Sequence, residues 1–159
     1  NGLLNKVFQT AIQIGKKVRS ETKIGDGSVS VATLAVDMVK QIFGDRENVN
    51  ILLIGAGKIS NLTANYLQQK FKNCNITLAN RSGATELAER FDARTIEYSD
   101  RFTGILENDI IIASTSAPNF IVCRHEINMM EEALQGKTRI FIDLCILRNR
   151  DREINNIDN

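Results

Sequence analysis

Residues 51–60 read ILLIGAGKIS, so a run of four apolar residues passes directly into Gly55-Ala56-Gly57. A short unbroken apolar run is typical of a strand that is buried on both faces of a sheet. The two glycines indicate a tight turn at which another group can approach the bare backbone. Ser60 stands where a third glycine often lies in turns of this kind.

From Val49 onward, short apolar runs alternate with helical segments. The pattern predicts strands at 49–54, 74–79, 93–97, 109–114 and 138–144, and helices at 58–72, 83–91 and 124–135, with a helical turn near 99–107. Such alternation is typical of a parallel sheet that is covered by helices on both faces. The predicted fold class is therefore α/β, a doubly wound, Rossmann-like parallel sheet.

Two amphipathic helices are predicted before the first strand, at residues 3–18 and 29–43. The glycine- and serine-containing stretch between them indicates a loop that ends in a Ser28 cap, and Gly44 is the expected stop of the second helix. We therefore predict linker or interdomain helices at residues 1–44 and a cofactor-binding domain at residues 45–159.

Composition limits the function classes. Twenty basic and nineteen acidic residues give a net charge of +1, which does not favour strong nucleic acid binding by this chain alone. No apolar run approaches the roughly 20 residues of a membrane span, and the N-terminus lacks the features of a signal peptide. Cys74, Cys123 and Cys145 form no CxxC pair and have no histidine at ligand spacing, which predicts reduced thiols and no metal site. We expect a cytoplasmic protein.

The glycine turn is the first candidate site. In a doubly wound sheet, ligands bind beyond the carboxyl ends of the strands, and a pyrophosphate can approach the N–H groups at a helix N-terminus. Packing alone would also explain such a turn, but its position between a buried strand and a helix favours nucleotide binding. The predicted pyrophosphate-binding residues are Gly55, Ala56, Gly57, Lys58, Ile59 and Ser60.

The end of the second predicted strand indicates which nucleotide is bound. It reads Asn80-Arg81-Ser82, without the acidic residue that NAD-selective sites place there for the ribose hydroxyls. A guanidinium can bond to a 2′-phosphate, and Asn80 and Ser82 can complete the cradle, so Arg81 predicts NADP rather than NAD. The alternative interpretation is an ordinary exposed loop arginine.

Small hydroxylated residues, Ser114, Thr115 and Ser116, follow the fourth predicted strand, and Pro118 would fix the turn after them. They would let a cofactor lie flat near its nicotinamide ribose. A generic strand-to-helix loop would explain them equally well. Together with Arg81, they complete a predicted NADPH site.

Five stretches of the chain resemble the middle portion of glutamyl-tRNA reductases, and together they cover essentially the whole sequence. The most specific of them contains RSETKIG followed by SVSV, because many dehydrogenases share the glycine turn. The stretches are VFQTAIQIGKKVRSETKIGDGSVSVATLAVDMVKQIFG (7–44), ILLIGAGKIS (51–60), LANRS (78–82), ASTSAPNFIV (113–122) and FIDLCILRNRD (141–151).

The resemblance implies an NADPH-dependent oxidoreductase that reduces glutamyl-tRNA to glutamate-1-semialdehyde in tetrapyrrole (porphyrin) synthesis. It also implies a catalytic domain before this segment and a dimerisation domain after it, hence a homodimer, with the aminomutase of the next step as a further partner. The family's nucleophile lies in a T-C-N-R-like setting that no cysteine here matches, so we expect no catalytic residue in this chain and no activity of it alone. We also expect the chain to stop before the last strand of the domain.

Two other functions remain open. A shikimate-dehydrogenase-like enzyme shares the glycine turn and an N-R-S/T loop, but it needs a substrate domain with its own lysine and aspartate, for which the two N-terminal helices leave no room. A non-catalytic nucleotide-sensing module would fit a segment without a nucleophile. His125, beside Cys123 in sequence, is not expected to be catalytic.

Overall fold

The computed structural model describes residues 2–22, 30–81, 84–115, 121–130, 134 and 137–145. The chain divides into two compact units, residues 1–30 and residues 31–159. The described residues of the first unit form the helix α1 (Gly2–Glu21), which confirms the helix predicted at 3–18. Within the described residues, no helix has both the length and the apolar character needed to cross a membrane.

The second unit begins with a helix and continues with the predicted alternation of strands and helices. Its elements are α2 (Val31–Phe43), β1 (Val49–Ile54), α3 (Lys58–Lys70), β2 (Cys74–Asn80), α4 (Thr85–Phe91), β3 (Arg94–Glu97), a 3-10 turn (Tyr98–Asp100), α5 (Arg101–Glu107), β4 (Ile110–Ala113), α6 (Arg124–Asn128) and β5 (Ile140–Asp143).

The five strands form one parallel sheet in the order β3-β2-β1-β4-β5. β1 is central, since Ile51 pairs with Ile76 of β2 on one side and with Ile110 of β4 on the other. The order of the strands reverses between β1 and β4, and in open sheets of this kind a binding crevice forms beyond the carboxyl ends at that point. The predicted doubly wound α/β fold is confirmed.

Side chains of β1 alternate between two apolar clusters. Ile51 and Leu53 belong to a cluster that includes residues of α2, α3 and α4, whereas Leu52 and Ile54 belong to one that includes residues of α5 and α6. All four side chains are completely buried. A strand that is buried on both faces cannot alternate between apolar and polar residues, which explains the unbroken ILLI run.

Helix α2 packs with the sheet unit. Its buried residues are Ala32, Ala35, Val36 and Val39. Val36 and Val39 belong to the same apolar cluster as Ile51. The predicted division between residues 44 and 45 therefore stays a prediction about the longer protein, while the described contacts group α2 with the sheet.

Two helix boundaries, the end of α2 and the extent of α6, bear on the sequence predictions. Gly44 has φ +59° and its N–H donates to the Lys40 carbonyl over 2.9 Å, which confirms the predicted helix stop. Ser28, the predicted cap, lies outside the described residues. α6 spans Arg124–Asn128, and a turn follows in which the Met130 N–H donates to the Ile127 carbonyl. Leu134 is again helical and its N–H donates to the Met130 carbonyl, so the described residues agree with the predicted 124–135 except at this turn.

Candidate functional site

Gly55 lies where the carboxyl ends of β1 and β4 meet. Its φ is +108°, and a Cβ atom there would lie 2.8 Å from the carbonyl oxygen of Ser114. Its N–H donates to the Ala79 carbonyl of β2 over 2.9 Å, and the Ser114 N–H donates to the Ile54 carbonyl over 3.0 Å. Gly55 is thus fixed between the two neighbours of β1 in a conformation that requires glycine.

Gly57 serves the turn in a different way. It is the N-cap of α3 with φ −79°, an ordinary value, and no atom of another described residue, its chain neighbours aside, lies within 4 Å of the position that a Cβ would take. The first turn of α3 contains no acidic residue, and the cap makes no side-chain hydrogen bond. Among the described residues, no side chain caps this helix end, which leaves its N–H groups available to an anionic ligand.

Ser60 joins the glycine turn to β4. Its buried hydroxyl donates to the Gly55 carbonyl over 2.7 Å and lies within hydrogen-bonding distance of the Ser114 hydroxyl. Because a serine hydroxyl has a single hydrogen, Ser60 must accept from Ser114. Ser114 consequently keeps only acceptor capacity for a ligand, which suits a hydroxyl donor such as a ribose.

The other predicted residues of the turn contribute little side-chain chemistry. Ala56 is half-buried against the apolar cluster that contains Ile51, and Ile59 is half-buried in the first turn of α3. Lys58 is exposed at the start of the helix. Backbone N–H groups and the Lys58 charge are therefore what this segment offers to a phosphate.

A cleft of about 440 Å³ lies at the carboxyl ends of β2 and β3. Asn80 and Arg81 both border it, so these two predicted residues lie together, whereas Ser82 lies outside the described residues. Two carboxylates, which the sequence pattern did not indicate, also border it. The lining residues are Asn80, Arg81, Ala84, Thr85, Thr95, Ile96, Glu97 and Asp100.

Arg81 rests on an aromatic ring that the sequence reasoning also missed. Its guanidinium carbon lies 4.6 Å from the centre of the Tyr98 ring, and that of Arg101 lies 4.6 Å from the same centre. Tyr98 is half-buried against the apolar cluster that includes Ile105 of α5. The expected strand order could have indicated that Tyr98 lies near Arg81, because in a doubly wound sheet the residues after β3 border those after β2.

The hydroxylated segment after β4 lies beside the end of β5. The Thr115 N–H donates to the Cys145 sulfur over 3.2 Å, and the Leu144 N–H donates to the Ala113 carbonyl over 2.8 Å. Ser114 and Thr115 are thus at the predicted edge of the sheet. Ser116 and Pro118, which completed the prediction, lie outside the described residues.

The remaining titratable candidates do not form a catalytic group. Cys74 lies at the amino end of β2, away from this edge, and burial raises the pKa of its thiol. Cys123 is the N-cap of α6, and its side chain accepts a hydrogen bond from the backbone of Glu126. His125 is exposed on α6. In the described part of the chain, no group of three or more histidine, cysteine or acidic residues could hold a metal ion.

Comparison with known proteins identifies the family. Residues 37–159 match the family model of shikimate / quinate 5-dehydrogenases. The chain is 36% identical over 158 residues to the glutamyl-tRNA reductase of Geotalea daltonii, and 36% identical over 161 residues to that of Solibacter usitatus. Each alignment covers 99% of this chain, but only 36% and 38% of those two proteins. The chain thus spans little more than a third of the length of these relatives.

Solved structures agree with the sequence relatives. Glutamyl-tRNA reductase from Methanopyrus kandleri superposes with a TM-score of 0.72 at 25% identity, over 99% of this chain and 40% of that one. The nucleotide binding domain of glutamyl-tRNA reductase from Thermoplasma volcanium superposes with a TM-score of 0.57 at 28% identity, over 79% of this chain and 83% of that one. The chain therefore belongs to the shikimate / quinate 5-dehydrogenase family, and the relatives that it matches over nearly its whole length are glutamyl-tRNA reductases.

Proposed function

We propose that this chain is the NADPH-binding part of a glutamyl-tRNA reductase, an oxidoreductase that converts glutamyl-tRNA to glutamate-1-semialdehyde. The observation that carries the proposal is the N-terminus of α3 at Gly57, which no described side chain caps and which follows β1 at the point where the strand order reverses. The names of the sequence relatives supply the substrate and the reaction. Because the chain spans little more than a third of those relatives, the reaction is proposed for the longer protein.

The described residues fit a dinucleotide along the carboxyl edge of the sheet. The N–H groups at the start of α3 would hold the pyrophosphate, and the absence of an acid from the first turn of that helix leaves their positive potential uncompensated. The acceptor oxygen of Ser114 would take a ribose hydroxyl at the nicotinamide end. NADPH, when bound, supplies the hydride, and these residues bind and orient it.

Arg81 is the proposed 2′-phosphate ligand. It is exposed at the border of the cleft beyond β2, where a guanidinium can form two charge-assisted hydrogen bonds to a phosphate. Glu97, which pairs with Asn80 in the sheet, and Asp100 border the same cleft and oppose an added negative charge. We therefore propose NADPH as the preferred cofactor, with a preference that depends on where the Arg81 guanidinium is held.

The partners and the location belong to the same proposal. The relatives' name implies glutamyl-tRNA as the substrate of the longer protein. We further propose a homodimer that forms through a C-terminal domain, contact with the aminomutase that uses the product, and a cytoplasmic location. These three points come from the family resemblance.

A shikimate-dehydrogenase-like activity is the second candidate, and the family model that matches residues 37–159 is the observation that favours it. The two candidates share a nucleotide site and differ in substrate. Oxidation of shikimate or quinate with NADP⁺ by the longer protein would support the second one. A non-catalytic nucleotide-sensing role would leave both substrates unchanged.

The testing experiment has two steps. Calorimetric titration of this chain should show NADPH binding that is tighter than NADH binding. The longer protein should then form glutamate-1-semialdehyde from glutamyl-tRNA and NADPH. Lack of NADPH binding by a folded chain contradicts the cofactor proposal, and a longer protein that binds NADPH without forming the semialdehyde contradicts the proposed reaction.

A further inference from the structure

We propose that Tyr98 is a positioning residue that holds the Arg81 guanidinium at the cleft beyond β2 and β3, and so sets the preference for NADPH over NADH. The inference rests on the proposed cofactor. Tyr98 is not among the residues that border the cleft, so it would act through Arg81 and not by touching the nucleotide.

The contact itself is specific. The Arg81 guanidinium carbon lies 4.6 Å from the centre of the Tyr98 ring, within the range of a cation–π interaction. Among the described residues, this ring contact is the interaction that the Arg81 side chain makes, and it has no ion pair and no hydrogen bond with them. The ring is therefore what fixes the direction of a long and otherwise unrestrained side chain in this part of the chain.

Tyr98 is a rigid support because its own surroundings are fixed. It begins the 3-10 turn after β3 and packs against the apolar cluster beneath α5 and α6. Arg101 donates to the Tyr98 carbonyl over 3.3 Å and to the Ile121 carbonyl over 3.0 Å, and it pairs with Glu126 at 3.4 Å. The ring is thus held from the backbone side and the core side, so it can orient Arg81.

The orientation of Arg81 matters because carboxylates that could pair with its guanidinium border the same cleft. Glu97 and Asp100 border the same cleft, and a guanidinium that is free to turn would pair with a carboxylate and lose its availability to a phosphate. A ring contact attracts the guanidinium without neutralising its charge. It also removes side-chain freedom before the ligand arrives, which lowers the entropic cost of binding.

The test compares Tyr98→Leu, which removes the ring and keeps an apolar side chain, with Tyr98→Phe, which keeps the ring and removes the hydroxyl. We expect Tyr98→Leu to weaken NADPH binding by about 2- to 5-fold, the range of an exposed cation–π contact. NADH binding should be unchanged, because NADH carries no 2′-phosphate. Tyr98→Phe should match the wild type for both cofactors.

Two further variants separate positioning from a general structural role. In an Arg81→Ala background, Tyr98→Leu should cause no additional loss of NADPH binding, because the two residues act as one unit. Glu97→Gln should raise NADPH affinity more in a Tyr98→Leu background than in the wild type, because only without the ring does the carboxylate also compete for Arg81. Circular dichroism checks folding, and Tyr98→Met replaces Tyr98→Leu if the latter unfolds.

The outcomes distinguish the inference from the proposed function. If the wild-type chain binds neither cofactor, the proposed function fails and the inference fails with it. If the wild type prefers NADPH and Arg81→Ala abolishes that preference while Tyr98→Leu leaves NADPH affinity equal to that of the wild type, the inference alone is overturned. An equal loss for NADPH and NADH in Tyr98→Leu would also overturn it, since that result indicates distortion of the whole site.

Discussion

The buried hydroxyl of Ser60 accepts a hydrogen bond from the hydroxyl of Ser114 and donates its own hydrogen to the Gly55 carbonyl over 2.7 Å. Ser60 takes the place of the third glycine in the GxGxxG pattern, whose usual role is close packing of helix on strand. The side chain here adds a polar link between the glycine turn and the end of β4. The two parts of the predicted cofactor site are thereby joined through one hydroxyl group.

This link predicts unequal effects of two substitutions. Ser60→Ala removes a donor from a carbonyl oxygen that lies under the turn, and leaving such an acceptor unsatisfied costs about 1 to 3 kcal/mol. Ser114→Ala leaves the Ser60–Gly55 bond in place, so we expect about 0.5 to 1.5 kcal/mol, the usual net value of one hydrogen bond. Urea unfolding of both variants measures the difference, and a larger loss in Ser114→Ala would reverse the assigned direction of donation.

The two glycines of the turn should respond oppositely to substitution. Gly55→Ala would place Cβ 2.8 Å from the Ser114 carbonyl oxygen at φ +108°, so we expect destabilisation of at least about 1 to 3 kcal/mol. Gly57→Val meets open space in the protein and should fold, yet its side chain would occupy the place of the pyrophosphate and abolish NADPH binding. Urea unfolding and calorimetric titration provide the two measurements. A folded Gly57→Val variant that retains NADPH binding would show that the glycine serves packing.

Arg81→Ala tests the choice of cofactor. A hydrogen bond to a charged group contributes about 1.5 to 3 kcal/mol, so NADPH affinity should fall by about 10- to 150-fold while NADH affinity stays nearly constant. The matched control is Arg90→Ala, since Arg90 is also exposed and lies 5.1 Å from the centre of an aromatic ring, that of Phe91, but does not border the cleft. Equal losses for both cofactors in Arg81→Ala would refute the assignment.

How far the sequence predicts this molecule depends on whether a feature is local. The ILLI run predicts a buried strand and Gly55 predicts an unusual backbone conformation, because burial and φ restrict the residue types at those same positions. The closeness of Gly55 to Ser114 required the strand order, which places β4 beside β1. The predicted adjacency of the two segments at one edge followed from the fold class, but the hydroxyl link did not.

The places of Tyr98 and Glu97 at the site could not be predicted from the sequence pattern, for the same reason. Glu97 ends β3 and Tyr98 follows it. β3 lies next to β2 only through pairing, and the register that sets Asn80 opposite Glu97 is not encoded in either strand alone. Neither residue belongs to a motif with a known spacing from the glycine turn. An acidic residue of the neighbouring strand thus borders the same cleft, although the second strand itself ends without one.

Asp109 makes stability depend on pH. Its side chain is 2% exposed, accepts a hydrogen bond from the Asn50 N–H over 3.0 Å, and pairs with Lys137 at 3.0 Å and with Arg46 at 3.7 Å. Burial raises the pKa of the Asp109 carboxyl, but the hydrogen bonds and the two positive charges outweigh burial, so the pKa lies below its ordinary value. The stabilisation is therefore complete above the unfolded-state value of about 3.9 and is lost as the pH falls through the folded-state pKa.

Asp109→Asn should accordingly lower the free energy of unfolding at pH 7 by about 1.5 to 3 kcal/mol, and the difference from the wild type should shrink below about pH 4. Asp45→Asn is the control, because Asp45 pairs with Lys40 at 2.8 Å but is fully exposed, so its removal should change stability little. Urea unfolding at several pH values tests both variants. A loss in Asp109→Asn that is constant down to the lowest pH would indicate packing, not charge, as the cause.

The last prediction concerns turnover. The family resemblance places the cysteine nucleophile in another domain. Two cysteines of this chain lie away from the predicted nicotinamide end, since Cys74 is at the amino end of β2 and Cys123 caps α6. Cys145 is the cysteine to test, because its sulfur accepts the N–H of Thr115 beside the predicted nicotinamide end. We expect this chain to bind NADPH and to form no semialdehyde from glutamyl-tRNA.

The measurement is an assay for the semialdehyde after incubation of the chain with charged tRNA and NADPH, with the longer protein as the positive control. Cys145→Ser should leave NADPH binding unchanged, because the contact between Thr115 and the sulfur is a weak hydrogen bond to which a serine oxygen is an adequate alternative acceptor. Semialdehyde formation by this chain that disappears in Cys145→Ser would place the nucleophile at the end of β5. That result would assign both the hydride donor and the reacting thiol to one edge of the sheet.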